Sequence, residues 1–241
     1  MSFARDLFRS IIGKKATRRA ESLHASMDYL QAYAAHTDLR VAQDPQDAVG
    51  GAWDVIGPLQ FEFLVENGLR PQNSLLDIGC GTLRAGRHFI RYLDSGNYTG
   101  FDISAAAIDY AHELVRKERL EAKKPTLFVN VEKTLRFEQL QAAKFDFLLA
   151  QSVFTHLPEE NVVECLNNVP KVMHGGSKFF FTYFDRPSVS RPNTEAFGYP
   201  FAFLVEAAER CGLALRRRPD YLHPRKQSMV EATLASTNAA K

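Results

Sequence analysis

The chain has 241 residues, 45% of them hydrophobic and 24% charged, with a formal net charge of +2. That balance excludes an intrinsically disordered or collagen-like chain and is long enough for one sizeable core, or a core with an appended segment. No apolar run approaches the roughly 20 residues that cross a bilayer. The N-terminus lacks a signal-peptide core, and Cys80, Cys165 and Cys211 are too scattered for a disulfide framework or a zinc site. A cytoplasmic protein is expected. Residues 1–20 hold six basic residues against Asp6 alone, a net +5, so the remainder carries −3. A domain of that sign offers nucleic acid no general attraction, and none is expected as a partner.

Residues 1–50 are expected to form a helical N-terminal extension, 51–236 the main domain and 237–241 a tail. Phe3, Leu7, Phe8, Ile11 and Ile12 recur at helical spacing among basic residues, and Gly13 ends that helix. A second helix is predicted from Glu21 to about Ala35, before a loop marked by Asp44-Pro45 and Gly50-Gly51. Ile56, Leu59, Phe63 and Leu64 predict a helix with Pro58 in its first turn, stopped by Asn67-Gly68. Apolar runs at Leu75–Ile78, Tyr98–Asp102, Thr126–Asn130, Phe145–Ala150 and Lys178–Phe184 read as buried strands. Helical patterns lie between them at about 84–94, 104–121, 159–172 and 197–211. This alternation predicts a parallel sheet with helices on both faces, closed by a hairpin at about 213–221 and 228–235.

The stretch Leu75-Leu-Asp-Ile-Gly79-Cys-Gly81-Thr-Leu-Arg84 sets glycines between a strand and a helix, where the backbone can turn tightly and approach a ligand. Asp77 stands before the first glycine, and Arg84 replaces the third glycine of a dinucleotide loop, which opposes a nicotinamide oxidoreductase. Asp102 ends the next strand, where a carboxylate can accept both hydroxyls of a ribose. Together these residues describe a pocket for a ribonucleoside with a positively charged tail.

They resemble the class I S-adenosylmethionine-dependent methyltransferases, over about residues 53–235. The resemblance implies a seven-stranded, mostly parallel Rossmann-like sheet whose last strand is antiparallel beside the sixth. It also implies S-adenosylmethionine as cofactor and S-adenosylhomocysteine as product. Asp77, Gly79, Cys80 and Gly81 then underlie the methionine part, Asp102 takes the ribose, and Ile103 lies against the adenine. Asn130, next to Val131, replaces the acid that the family often uses on the adenine amino group, and its carbonyl can still accept. Gln151, ending the fourth strand, completes that set. Arg84 either pairs with the methionine carboxylate or forms a surface ion pair.

The sequence lacks the Asn/Asp-Pro-Pro-aromatic loop of amino-methylating DNA enzymes and has no Pro-Cys nucleophile. Gly57-Pro-Leu-Gln60-Phe, the Gly-Thr-Leu-Arg-Ala-Gly loop and His223-Pro-Arg-Lys-Gln227 look like methyltransferases of bacterial sugar and surface-glycan chemistry. The expected acceptor is therefore a small molecule or glycan, methylated on oxygen; a small amine is the alternative, and a non-catalytic cofactor-binding protein a further one. An oxygen acceptor needs a general base. His156 is the first candidate, with packing beneath the cofactor as its other role. His223, in the final hairpin turn, is the second, as base, substrate contact or ordinary turn residue. Trp53 either covers the site or anchors the core; Tyr183, Asp185 and Arg186 either line the acceptor pocket or solvate a strand end. No metal site is expected, because no carboxylate cluster can be assembled. The N-terminal basic helix suits a lid, a homodimer contact or a peripheral contact with an anionic membrane.

Overall fold

A computed structural model describes residues 19–140 and 142–235. The expected helix at 3–12 and the tail at 237–241 lie outside them. A helical stretch at 19–24 breaks before Asp28, and helix α1 then runs Tyr29–Gln43. The single helix expected from Glu21 is thus two pieces. Asp44 caps the short α2, Pro45–Ala48, through bonds from Gln46 N and Asp47 N.

Helix α3 spans Trp53–Glu66. It starts five residues before Pro58, so this proline lies inside the helix and not in its first turn. There it removes one backbone donor and crowds the carbonyl a turn earlier.

Strands β1 (Leu75–Ile78), β2 (Tyr98–Asp102), β3 (Thr126–Val129) and β4 (Phe145–Ala150) fall where the apolar runs predict them. Helices α4 (Gly86–Tyr92), α5 (Ala105–Lys117) and α6 (Glu159–Asn168) connect them. Strand β5 spans Met173–Tyr183 with an irregular register near its start, around the glycine pair at 175–176. Next comes a small antiparallel ribbon, β6 (Ser190–Asn193) and β7 (Ala196–Gly198), before helix α7 (Phe201–Glu209). The helix expected from residue 197 therefore begins later. Tyr199 precedes Pro200, and the proline ring drives the residue before it out of the helical region. Strands β8 (Leu213–Arg218) and β9 (Ser228–Leu234) form the terminal hairpin.

The sheet order is β3-β2-β1-β4-β5-β9-β8, with β9 antiparallel to both neighbours. Alternate residues feed two cores, as a pleated strand buried on both faces requires. Phe179, Phe181 and Tyr183 point toward α6 and α7, whereas Phe180 joins the layer of α3, α4 and α5. Truncating any one of these phenylalanines to alanine would cost about 3–5 kcal/mol.

The N-terminal segment is tied to this sheet and not merely appended. Asp38 on α1 accepts from Ser104 Oγ at 2.6 Å and from Ala106 N at 3.1 Å, so it caps the start of α5. Among the described residues no helix is long and apolar enough to cross a membrane.

Candidate active site

Successive chain segments meet at the C-terminal ends of β1 to β5, where ligands bind in open sheets of this kind. They enclose a cavity of about 540 Å3. Its floor is the turn after β1. Gly79 and Gly81 there adopt φ of +70° and +54°, and a Cβ on either would meet Val153 or Val49 at 2.7 Å. Only glycine satisfies both demands.

Asp77, at the end of that strand, is 5% exposed and accepts from Tyr98 Oη at 2.7 Å. Burial pushes its carboxyl up to about 7, with Asp102 adding to the effect against the Tyr98 bond. Asp102 accepts from Gly81 N at 3.0 Å through one oxygen and from Ser104 N at 2.9 Å through the other. Each oxygen keeps a lone pair for a ligand hydroxyl. Asn130 gives its Nδ2 to Thr134 O at 2.7 Å, which leaves Oδ1 to accept.

Arg84 is 8% exposed and donates from Nη1 to Val49 O at 2.8 Å and Gly51 O at 3.1 Å. Its Nε is buried without a partner. Among the described residues it makes no surface ion pair, and burial lowers its pKa to about 10. Cys80 is buried, and burial beside two carboxylates pushes its thiol well above the ordinary range. A thiol so held is no nucleophile.

His156 ends a short 3-10 turn, Phe154–His156, after β4. Its Nδ1 lies 2.6 Å from the carbonyl of Glu195, between β6 and β7. A carbonyl only accepts, so Nδ1 carries the proton and Nε2 keeps its lone pair. Burial lowers the pKa of the ring, against the opposing Glu195 carbonyl bond and carboxylate and with Arg40 and Arg225 adding to it, which favours the neutral form. His223 belongs to a different arrangement. It sits beside Gln151, whose Nε2 donates to Gln227 Oε1 at 3.0 Å and whose Oε1 accepts from Tyr221 Oη at 2.8 Å. Burial and the nearby Arg84 and Arg225 lower the pKa of His223 to about 4.

The lining includes Asp77, Gly79, Cys80, Gly81, Arg84, Asp102, Ile103, Asn130, Gln151, His156, Arg186 and His223. The other residues expected at the site do not line it. Trp53 is buried in the core, its Nε1 bonded to Gln46 O at 3.1 Å and its ring beneath Arg87. Tyr183 is wholly buried in the layer of α6 and α7, because the alternation of β5 turns it away from the cavity. Asp185 pairs with Arg217 of β8, and Val131 is 60% exposed beside the rim.

Several residues here were not singled out from the sequence. Leu30, Tyr33, Thr37 and Arg40 line the wall from α1. Their spacing of three, four and three residues is the helical signal that marks one face. Arg225 and Gln227 also contribute, both from the terminal turn that carries His223. Glu195 is the hardest to foresee. Its carboxylate is held by His36 Nδ1 at 2.9 Å and His24 Nε2 at 3.0 Å, contacts across more than a hundred residues of chain. Burial raises the Glu195 pKa, but these two bonds outweigh that and hold it below the usual carboxylate range. Among the described residues no group of three or more His, Cys, Asp or Glu side chains is placed to hold a metal ion.

Residues 76–179 match the family model described as a methyltransferase domain. Solved structures share the fold. The magnesium protoporphyrin IX methyltransferase of Synechocystis PCC 6803, solved with bound S-adenosylmethionine, superposes at a TM-score of 0.66 with 15% identity. That match covers 88% of this chain and 99% of the other. The CcbJ methyltransferase of Streptomyces caelestis gives 0.60 at 12% identity, over 75% and 90% of the two chains. The glycopeptide N-methyltransferase MtfA, complexed with S-adenosylmethionine, gives 0.60 at 11% identity, over 74% and 94%. The chain thus carries a methyltransferase domain, built on the class I fold of the S-adenosylmethionine-dependent methyltransferases.

Proposed function

We propose that the protein transfers a methyl group from S-adenosylmethionine to a hydroxyl of a small molecule, with His156 as the general base. The observation that carries this reading is the pairing, in one cavity, of a glycine turn flanked by Asp77 and Asp102 with a neutral histidine whose Nε2 lone pair is free.

The cavity suits that cofactor on its own terms. At about 540 Å3 it lies within the range of small-molecule sites. The Arg84 guanidinium in the lining meets the need of a carboxylate, buried Asp77 that of an ammonium, and the spare lone pairs of Asp102 those of two vicinal hydroxyls. Ile103 and the Oδ1 of Asn130 supply an apolar surface and an acceptor for a purine edge. When bound, the cofactor supplies a methyl group on a sulfonium that departs as a neutral thioether.

The chain's task is then orientation and removal of one proton. His156 Nε2 takes the hydroxyl proton as the new carbon–oxygen bond forms. The Glu195 carbonyl holds the tautomer that makes this possible. Helix α1 closes the acceptor end as a lid, with Leu30, Tyr33 and Thr37 limiting access of water.

Calorimetric titration with S-adenosylmethionine, S-adenosylhomocysteine and NAD tests the cofactor. Binding of the first two and not the third is expected; binding of NAD alone would overturn the reading. Turnover with hydroxylated acceptors tests the base. His156→Ala should keep its affinity for S-adenosylhomocysteine and lose about 10²–10⁴-fold in rate. An unchanged rate would remove His156 from the chemistry and favour an amine acceptor, which needs no base.

A further inference from the structure

Five cationic side chains line the cavity: Arg40, Arg84, Lys133, Arg186 and Arg225. Among the described residues none of the five makes an ion pair. Each is instead tied to backbone oxygen. Arg40 donates to Asp47 O, Arg84 to Val49 O and Gly51 O, Lys133 to Val131 O, Arg186 to Asp185 O, and Arg225 to Gly50 O. Those bonds orient the cations without neutralising them.

The carboxylates of the lining are Asp77 and Asp102, and the proposed function commits both to the cofactor. That cofactor brings a sulfonium and an ammonium against one carboxylate, so it adds positive charge to a wall already in excess of it. Arg84 and Lys133 lie toward the cofactor: Arg84 sits in the glycine turn, and Lys133 next to Thr134, which bonds Asn130. Arg40, Arg186 and Arg225 remain. Arg40 follows Tyr33 and Thr37 along the α1 face of the cavity, and the Tyr33 ring lies 5.3 Å from that of His156; Arg225 stands in the turn of His223, its guanidinium on Gly50 O. Arg186 extends from the end of β5 over the Phe184 ring, 5.5 Å away, on the side of the cavity that Asn193 and Ala196 close. Unpaired guanidiniums in a partly enclosed cleft focus a positive potential and select planar oxyanions by paired hydrogen bonds.

We infer that the acceptor carries an oxyanion, a phosphate or a carboxylate on the same small molecule as the methylated hydroxyl, and that Arg225, Arg40 and Arg186 bind it. This rests on the methyl-transfer reading and names the acceptor class for the same site. It places a negative charge close to the base and makes neutral sugars poor ligands. Arg186 belongs to the loop after β5, apart from the segments that would hold the cofactor, whereas Arg225 reaches Gly50, beside the carbonyls that hold Arg84.

The test is calorimetry on the full chain at constant ionic strength, in two stages. Titration with S-adenosylhomocysteine comes first. The saturated protein is then titrated with inorganic pyrophosphate, with glucuronate and with uncharged glucose. At least one anion should bind and glucose should not; pyrophosphate assigns the phosphate form, glucuronate the carboxylate form. Arg186→Gln and Arg225→Gln should each weaken the bound anion about tenfold, the loss of one charge-assisted contact, with affinity for S-adenosylhomocysteine unchanged. Arg186 is exposed and, among the described residues, its side chain donates only to its neighbour's carbonyl, so its variant keeps the fold even if that of Arg225 does not. Intact binding of S-adenosylhomocysteine with neither anion bound would overturn this inference and leave methyl transfer standing, as would anion binding indifferent to both substitutions. Failure to bind S-adenosylhomocysteine would overturn both.

Discussion

Replacing Asp77 by asparagine should stabilise the protein and weaken its hold on cofactor, and the first effect should depend on pH in a defined way. The carboxyl is buried, accepts one hydrogen bond from Tyr98 at 2.7 Å and, among the described residues, has no ion-pair partner. Burial drives its pKa from 3.8 to about 7. An acid whose folded pKa is raised binds more protons folded than unfolded between the two values, so stability falls as pH rises through that interval. Above about pH 7 the whole penalty stands, roughly three pKa units at 1.36 kcal/mol each, or about 4 kcal/mol. Asparagine keeps the volume and the acceptor for Tyr98 and loses only the charge. Urea unfolding of both proteins should therefore give coincident curves near pH 4 and a gain of about 4 kcal/mol for Asp77→Asn near pH 8.5, at unchanged slope. Affinity for S-adenosylhomocysteine should fall in the same variant, because an amide cannot neutralise the ligand's ammonium. Equal stability of the two proteins at both pH values would refute the claim that this carboxyl is a charge buried for function at a cost to the fold.

Asp102→Ala should weaken S-adenosylhomocysteine about 100-fold, since two hydrogen bonds to a charged group at about 1.5 kcal/mol each are lost; calorimetry reads this, and unchanged affinity would place the ribose elsewhere. Glu195→Ala should destabilise the protein by about 3 kcal/mol, because it strands two nearly buried histidines. The Glu195 pKa is held below its ordinary value, so this contribution is fully present above the unfolded pKa and is lost as pH falls through the folded one. Thermal unfolding of wild type and variant should converge in acid and differ at neutral pH by about 6–12 °C.

The central strands were legible because each is a short apolar run between turn residues, and a strand buried on both faces needs nothing subtler. The floor of the site was legible for a related reason. Gly79, Gly81, Asp77 and Asp102 lie at strand ends, where local sequence fixes both backbone and side-chain direction. The rest of the cavity wall was not. Tyr183 looks like a pocket residue from its place after a strand core, yet strict alternation turns it into the layer of α6 and α7. Trp53 resembles a lid residue until its indole bond to Gln46 is seen. The ribbon of β6 and β7 carries no strong alternation, and its role depends on Glu195 meeting histidines more than 150 residues earlier in the chain. Contacts of that range leave no periodic trace.

Those contacts also explain why the N-terminal segment cannot be treated as an optional attachment to the sheet. Tyr29 Oη donates to the carbonyl of His156 at 2.8 Å, and the Tyr33 ring lies 5.3 Å from its imidazole. The Glu195 carbonyl that sets the tautomer of His156 belongs to the residue whose carboxylate His24 and His36 grip. One side of the histidine is thus fixed by helix α1 and the other by a ribbon that α1 itself holds. Asp38 on the same helix caps α5, which begins at Ala105, directly after Ser104, whose backbone N donates to Asp102. A displacement of α1 would therefore reach three places together: the cover of the cavity, the orientation of His156, and the turn that carries Asp102. Covering the cavity and orienting His156 become one structural event, and that coupling follows from where His24, Tyr29, His36 and Asp38 fall along a single stretch of chain.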